Sequence, residues 1–422
     1  MMLYIDPGTG SMLFSVLISL FALGYFAFRG VLIKLRLLFA GKKGAAKGKR
    51  IPFAVYNEGR QYWNTFKPVV EEFEQRSLPL VYYTSAQTDP VFDRTWQHVK
   101  PEFIGEGNKA YARLNLMEAD VCLMTTPGLD VFQLKRSKGV KHYCHVVHMV
   151  NDATTYKRYG LDYYDSVLLS GQWQGEDIRY LEKLRGLPPK RLVTVGCPYL
   201  DTQAVRLKQV QPDTEGSCHP DKGARHSDEG QGFTVLVSPS WGASGLLSLY
   251  GEKLLDPLAE TGWNIIVRPH PQSKVVEKEL IARLQAKYNK NNNVIWDFDA
   301  DNIVSISKAD IMISDFSSIT LDFAFLRDKP FLAAVGDFDA RPYDAGKVPH
   351  PLWQFQVLPK IGRELKEADF QRIEEIIKNI SDDPASAENR ALAKEKAWQY
   401  QGQAGKRIAD YMVQVQQEVA EA

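Results

Sequence analysis

Twice along this chain, short apolar runs alternate with stretches that repeat apolar residues at helical spacing, and a segment lacking any such period keeps the two series apart. The first series opens with IPFAVY at residue 51 and continues through YWNTFKPVVEEFEQR, LPLVYYT, ADVCLMTT, KHYCHVVHMV, YDSVLLSG and RLVTVGCPYLD. The second runs through TVLVSPSWG, GLLSLYGEKLLDPLAE, WNIIVRPHP, VVEKELIARLQAKY, NVIWD, IMISD and PFLAAV. Strand, helix, strand order with short turns implies parallel sheets covered by helices and joined by right-handed crossovers. Between the series, KQVQPDTEGSCHPDKGARHSDEGQG is rich in Gly, Pro, Ser, Asp and Lys and reads as a mobile linker.

The first 50 residues follow another pattern. SMLFSVLISLFALGYFAF, Ser11 to Phe28, carries no charge over 18 residues. At ~1.5 Å per residue it just reaches the ~30 Å of a hydrocarbon core. Arg29, Lys34, Arg36, Lys42, Lys43, Lys47, Lys49 and Arg50 come after it, and only Asp6 comes before. The positive-inside rule then puts the N-terminus outside and everything after residue 50 in the cytoplasm, a single-pass protein of the inner membrane. A cleaved signal peptide would carry its charge on the other side of the apolar core. The basic stretch VLIKLRLLFAGKKGAAKGKR also suits an amphipathic helix lying on anionic lipid.

The expected architecture is therefore α/β. A membrane anchor and basic segment occupy 1–50, a Rossmann-like domain 51–205, the linker 206–231, and a second Rossmann-like domain 232–422 whose last helices pack on its outside. The two domains face a cleft. A formal charge of +1 gives no reason to propose nucleic acid as a partner. Cys122, Cys144, Cys197 and Cys218 show no paired spacing, which argues for buried thiols in a reducing compartment.

Candidate site residues cluster at strand ends. In IMISDFSSITLDFAFL a buried strand stops at the turn Asp315-Phe316-Ser317-Ser318, and a helix begins. A helix N-terminus beyond the carboxyl end of a parallel strand presents free amides and a positive dipole end to an anion, and Ser317 and Ser318 add hydroxyls. A plain N-cap is the competing reading. NIIVRPHP ends on Arg268 and His270, stiffened by two prolines, so a guanidinium suited to phosphate and an imidazole share one cleft edge.

In HYCHVVHMVND, His145 or His148 reaches the cleft from the first domain. On a strand the two rings of H-x-x-H fall on opposite faces, so joint metal ligation is disfavoured. Cys218, His219 and His226 have no recognised ligand spacing either, and neither a metal nor any other cofactor is expected. Ser238, Ser240 and Gly242 in SPSWG suit nucleotide phosphates, while for Trp241 packing is favoured over stacking on a base.

Together and in this order, VVHMVND, VTVGCPYLD, RPHP and SDFSSITLDFAFLRDKP resemble the CDP-glycerol glycerophosphotransferase family of teichoic acid primases and polymerases. Val147-His148-Met149 stands where that family has W-H-G, and Phe316 replaces the tyrosine of S-D-Y-S-S. The resemblance implies a GT-B fold, a first domain for the acceptor and a second for the donor nucleotide. It implies His148 as the base on the acceptor hydroxyl and His270 acting on the phosphoryl centre or the leaving nucleotide. Asp315, Ser317 and Ser318 would line the donor phosphates, with Arg268 added from its chemistry alone. The implied reaction is metal-independent. It moves a polyol phosphate, glycerol phosphate first among them, from a CDP-alditol to a glycan or lipid-linked acceptor and releases CMP. Two alternatives remain open at this point: a glycosyltransferase of the same fold using a nucleotide sugar, and a non-catalytic membrane-tethered binding protein.

Overall fold

The computed structural model describes residues 24, 25, 28, 50–210, 232–299, 301–336, 338–380 and 384–421. Nearly all of the expected span Ser11 to Phe28 and of the expected linker lies outside the described residues. Among those described, no helix is long and apolar enough to cross a membrane. Residues 51–422 form one compact unit, distinct from 1–50.

Seven strands make the first sheet: β1 (Ile51–Asn57), β2 (Leu80–Thr84), β3 (Val99–Phe103), β4 (Ala119–Met124), β5 (Val140–Val146), β6 (Ser166–Leu169) and β7 (Arg191–Thr194), in the order β3-β2-β1-β4-β5-β6-β7. Every pairing is parallel. The second sheet has β8 (Thr234–Val237), β9 (Asn264–Val267), β10 (Val294–Trp296), β11 (Ile311–Ser314), β12 (Phe331–Ala333) and β13 (Arg363–Glu364), ordered β10-β9-β8-β11-β12-β13 and again wholly parallel. Strand order reverses beside β1 in one sheet and beside β8 in the other, and those reversals open the crevices in which α/β proteins bind ligands.

Continuous apolar runs such as ADVCLM become fully buried strands because helices cover both faces of each sheet. One face of the first sheet packs on Phe66, Val69, Val70 and Phe73 of the helix Trp63–Gln75, together with Ile408, Met412 and Val415. Those last three belong to the helix Ala404–Glu421. The expectation that the C-terminal helices pack outside the second domain fails here, since this one crosses back and completes the first. Its buried stripe of Ile408, Met412 and Val415 recurs at i, i+4 and i+7, which needs an apolar partner that the first sheet supplies. Asp201 fixes the crossing by accepting from Trp398 Nε1 at 2.8 Å and from the amides of Gly402 and Ala404 at 2.8 and 2.9 Å. Gly405 allows the close approach, because a Cβ there would sit 2.5 Å from the Pro68 carbonyl oxygen. The expected domain limit at residue 205 also shifts, since the helix Pro198–Val210 runs through it.

A segment from the second lobe straps the two together. Asp152, just past β5, accepts from the amides of Trp353 and Gln354 at 2.7 and 3.0 Å and so caps the helix Trp353–Ile361 from across the junction. Asn151 Nδ2 donates to Gln354 Oε1 at 2.9 Å, Arg185 pairs with Asp344, and the Trp173 and Trp353 rings pack against each other at 4.5 Å and a tilt of 40°. The loop after β5 therefore lies against the second lobe.

Candidate active site

β5 ends at Val146, and the chain turns before His148. The partly exposed His148 ring lies 2.7 Å from Thr125 Oγ1 and 3.3 Å from the Tyr156 hydroxyl, both through Nδ1, and meets Tyr62 edge-on at 5.1 Å. His145 is fully buried and reaches the same Tyr156 hydroxyl through Nε2 at 3.2 Å. The two rings do not fall on opposite faces as strand periodicity predicts, because the strand stops between them and the period of two stops with it. They converge on a phenol. Among the described residues no cluster of three or more His, Cys, Asp or Glu could hold a metal ion. Burial drives the His148 pKa down to about 4 and that of His145 well below its ordinary value, so both rings are neutral at pH 7.

On the second lobe, Asp315 follows β11 directly and is fully buried. It was expected among the ligands of donor phosphate, yet it faces inward. Its carboxylate accepts from the Ser240 amide and hydroxyl at 3.0 and 2.9 Å, from the Leu246 amide at 2.9 Å and from the Ser317 amide at 3.0 Å. Burial raises its pKa against the pull of those hydrogen bonds. Asp315 thus sets the shape of two loops at the β8/β11 crevice, its carboxylate committed to their amides and the Ser240 hydroxyl. Ser240 spends its hydroxyl on this carboxylate. Ser238 is buried, with its amide on the Ile313 carbonyl and its own carbonyl on Ser314 Oγ. Gly242 has φ +90°, a left-handed conformation that accounts for the glycine, and a Cβ there would meet nothing within 4 Å.

Ser318 begins the helix Ile319–Arg327 without a side-chain capping bond, so the plain N-cap reading does not describe it. Beside it, Phe316 packs on Phe338 at 5.4 Å, and Phe338 stacks on Tyr343 at 5.5 Å and 17°. Tyr343 bridges to Lys157 of the first lobe, adjacent to Tyr156. The aromatic chain and this bridge run from the Ser317 turn to the backbone beside Tyr156, across the junction.

Arg268 is not free for phosphate. It is 7% exposed, pairs with Asp297 and donates to the Asp299 carbonyl at 2.6 Å. Burial works against the Asp297 carboxylate, but hydrogen bonds from Ser305, the Asp299 amide and Arg268 outweigh it and lower its pKa. Such a group stabilises above its unfolded value of ~3.9, and the gain is lost as pH falls through the folded pKa. Arg268→Ala should cost about 3 kcal/mol, because it takes the counter-ion from a half-buried carboxylate that keeps only its bonds from Ser305 and the Asp299 amide. Urea unfolding at pH 7 measures that loss, and repeating it toward pH 3 should show the deficit shrinking.

His270, beyond β9, differs from Arg268 in keeping an open side. The Gln272 amide donates to its Nδ1 at 3.1 Å, and since an amide only donates, the neutral ring must carry its proton on Nε2. Burial lowers its pKa, opposed by Glu277. Trp241 was expected to pack, but it is 45% exposed, with its ring 6.2 Å from that of His270. His270, Trp241, Ser240 and the Ser317 turn therefore share one rim, with Arg268 behind it. Thr125, Tyr156 and Trp241 were not singled out as site residues from the sequence, although Thr125 stands where a signal was available, at the carboxyl end of ADVCLMTT beside the sheet's reversal.

Residues 235–414 match the family described as CDP-Glycerol:Poly(glycerophosphate) glycerophosphotransferase, so the resemblance drawn from the motifs holds over the second lobe. No curated protein matches the chain. Among solved structures, the wall teichoic acid polymerase TagF is 14% identical, covers 88% of this chain and 90% of its own, and has a TM-score of 0.56. The same polymerase soaked with CDPG is 13% identical over 94% and 98%, again with a TM-score of 0.56. The UDP-GlcNAc 2-epimerase of Methanocaldococcus jannaschii, in complex with UDP-GlcNAc and UDP, is 12% identical over 86% and 100% with a TM-score of 0.56. At these identities the structures share the fold.

Proposed function

We propose that this chain, whose residues 235–414 match the CDP-glycerol glycerophosphotransferase family, transfers glycerol phosphate from CDP-glycerol to a hydroxyl of a lipid-linked or glycan acceptor. The reaction is a displacement at the β-phosphorus. The acceptor oxygen bonds to that phosphorus, the bond to the bridging oxygen breaks, and CMP leaves with the bridging oxygen. His148 removes the hydroxyl proton. His270 offers Nε2–H to the developing phosphoryl charge, and the start of the helix Ile319–Arg327 adds amides and a positive dipole end. No metal takes part in this scheme. Residues 1–50 hold the enzyme on the inner membrane, where a lipid-linked acceptor resides. Met149, in place of a glycine, narrows the acceptor side.

What supports this reading most directly is the turn at Asp315: a buried carboxylate spends itself on shaping a helix start whose serine is left uncapped at the crevice. The test is CMP release from CDP-glycerol, run beside CDP-ribitol and UDP-GlcNAc. Release of CMP with transfer to an acceptor supports it, and turnover of the UDP-sugar alone would overturn it. The pH dependence is a second check. With the His148 pKa at about 4, kcat/KM should stay flat from pH 7 down to about 5 and fall below that, rather than break near the ordinary histidine value of ~6.5.

A further inference from the structure

We propose that Thr125 is a positioning residue that holds His148 in its Nδ1–H tautomer, leaving Nε2 as the bare nitrogen that faces substrate. The proposal rests on His148 being the base in the reading above. The Thr125 hydroxyl has one proton to give, and it lies 2.9 Å from the Val146 carbonyl, which can only accept. With that proton on the carbonyl, the contact of 2.7 Å between Thr125 Oγ1 and His148 Nδ1 requires the proton on the ring. Tyr156 agrees with this assignment. Its oxygen, 3.3 Å from the same Nδ1, can serve as a second acceptor for that N–H, and it also contacts His145 Nε2 at 3.2 Å. Burial raises the phenol pKa far above neutrality, so Tyr156 keeps its proton throughout.

The arrangement also serves the charged state. When His148 takes a proton on Nε2, its Nδ1–H already has Thr125 as acceptor, and no hydroxyl has to turn round. In the opposite tautomer Thr125 would donate to Nδ1, Nε2 would carry a proton, and the ring could not accept one from the acceptor hydroxyl. Preorganisation of this kind aligns the base before the reaction begins.

The test uses the full chain with its eight histidines labelled with 15N, the His148 signals being assigned by their loss in His148→Ala. Wild type should show Nδ1 protonated and Nε2 bare. Thr125→Val should mix or reverse that pattern and lower kcat about 100-fold, with KM for CDP-glycerol unchanged. Thr125→Ser, which keeps the hydroxyl, should restore both tautomer and rate. Thermal midpoints check that the variants fold, and Thr125→Ser carries the comparison if the valine variant does not. A protonated Nε2 in wild type, or a valine variant with the wild-type tautomer and rate, would overturn the proposal. The tautomer is read without turnover, so a failed base assignment reveals itself separately: His148→Ala would then retain its rate while Thr125→Val still moved the nitrogen signals.

Discussion

Replacing His148 by alanine should lower kcat by 10²–10⁴-fold and leave KM for CDP-glycerol within a few-fold of wild type. The split follows from the geometry. His148 belongs to the first lobe, whereas the candidate donor groups, His270 and the Ser317 turn, belong to the second. Removing the ring takes away proton transfer in the transition state, ~3–5 kcal/mol of barrier, and touches little that binds the donor. The variant also leaves Thr125 and Tyr156 beside a small cavity, so its thermal midpoint should fall modestly and must be measured alongside. Steady-state CMP release as a function of CDP-glycerol concentration decides the matter, and a variant with the wild-type rate would remove His148 from the chemistry.

The second large effect concerns stability. Asp315→Ala should destabilise the second lobe by roughly 3–6 kcal/mol, since it strips partners from three amides and a hydroxyl, each worth about 1–3 kcal/mol when left buried and unpaired. That is a large part of the ~5–15 kcal/mol holding a typical domain together. Binding should suffer as well, because the Ser240 and Ser317 loops lose the group that orders them. Asp315→Asn should fall between, keeping one carbonyl oxygen but turning an amide NH₂ toward other donors. Urea unfolding with CMP calorimetry separates the two consequences. If the alanine variant unfolds at the wild-type urea concentration, the carboxylate does not organise these loops.

The sheets were legible in the sequence because parallel strands covered on both faces need unbroken apolar runs, and ADVCLM, NIIV and IMIS supply them. The turn after β11 was legible for a related reason: Ser-Asp-Phe-Ser-Ser interrupts apolar periodicity where a strand gives way to a helix. Direction was harder to read than position. Arg268 and Asp315 were correctly set at strand ends, but their partners Asp297, Ser240 and Leu246 lie 29, 75 and 69 residues away, and only the fold reveals that these charges turn inward. His145 and His148 were misread in orientation because the strand boundary, invisible at single-residue resolution, decides which periodicity applies. The final helix was misassigned since its apolar stripe says that it needs a partner surface and not which one.

That helix has a consequence for how the protein is made. The strands of the first lobe leave the ribosome some 200 residues or more before Ile408, Met412 and Val415, which close one side of its core. Until then the nascent lobe holds an apolar groove open, in need of shelter from chaperones, and a message truncated before Ala404 would yield a chain whose first lobe never seals.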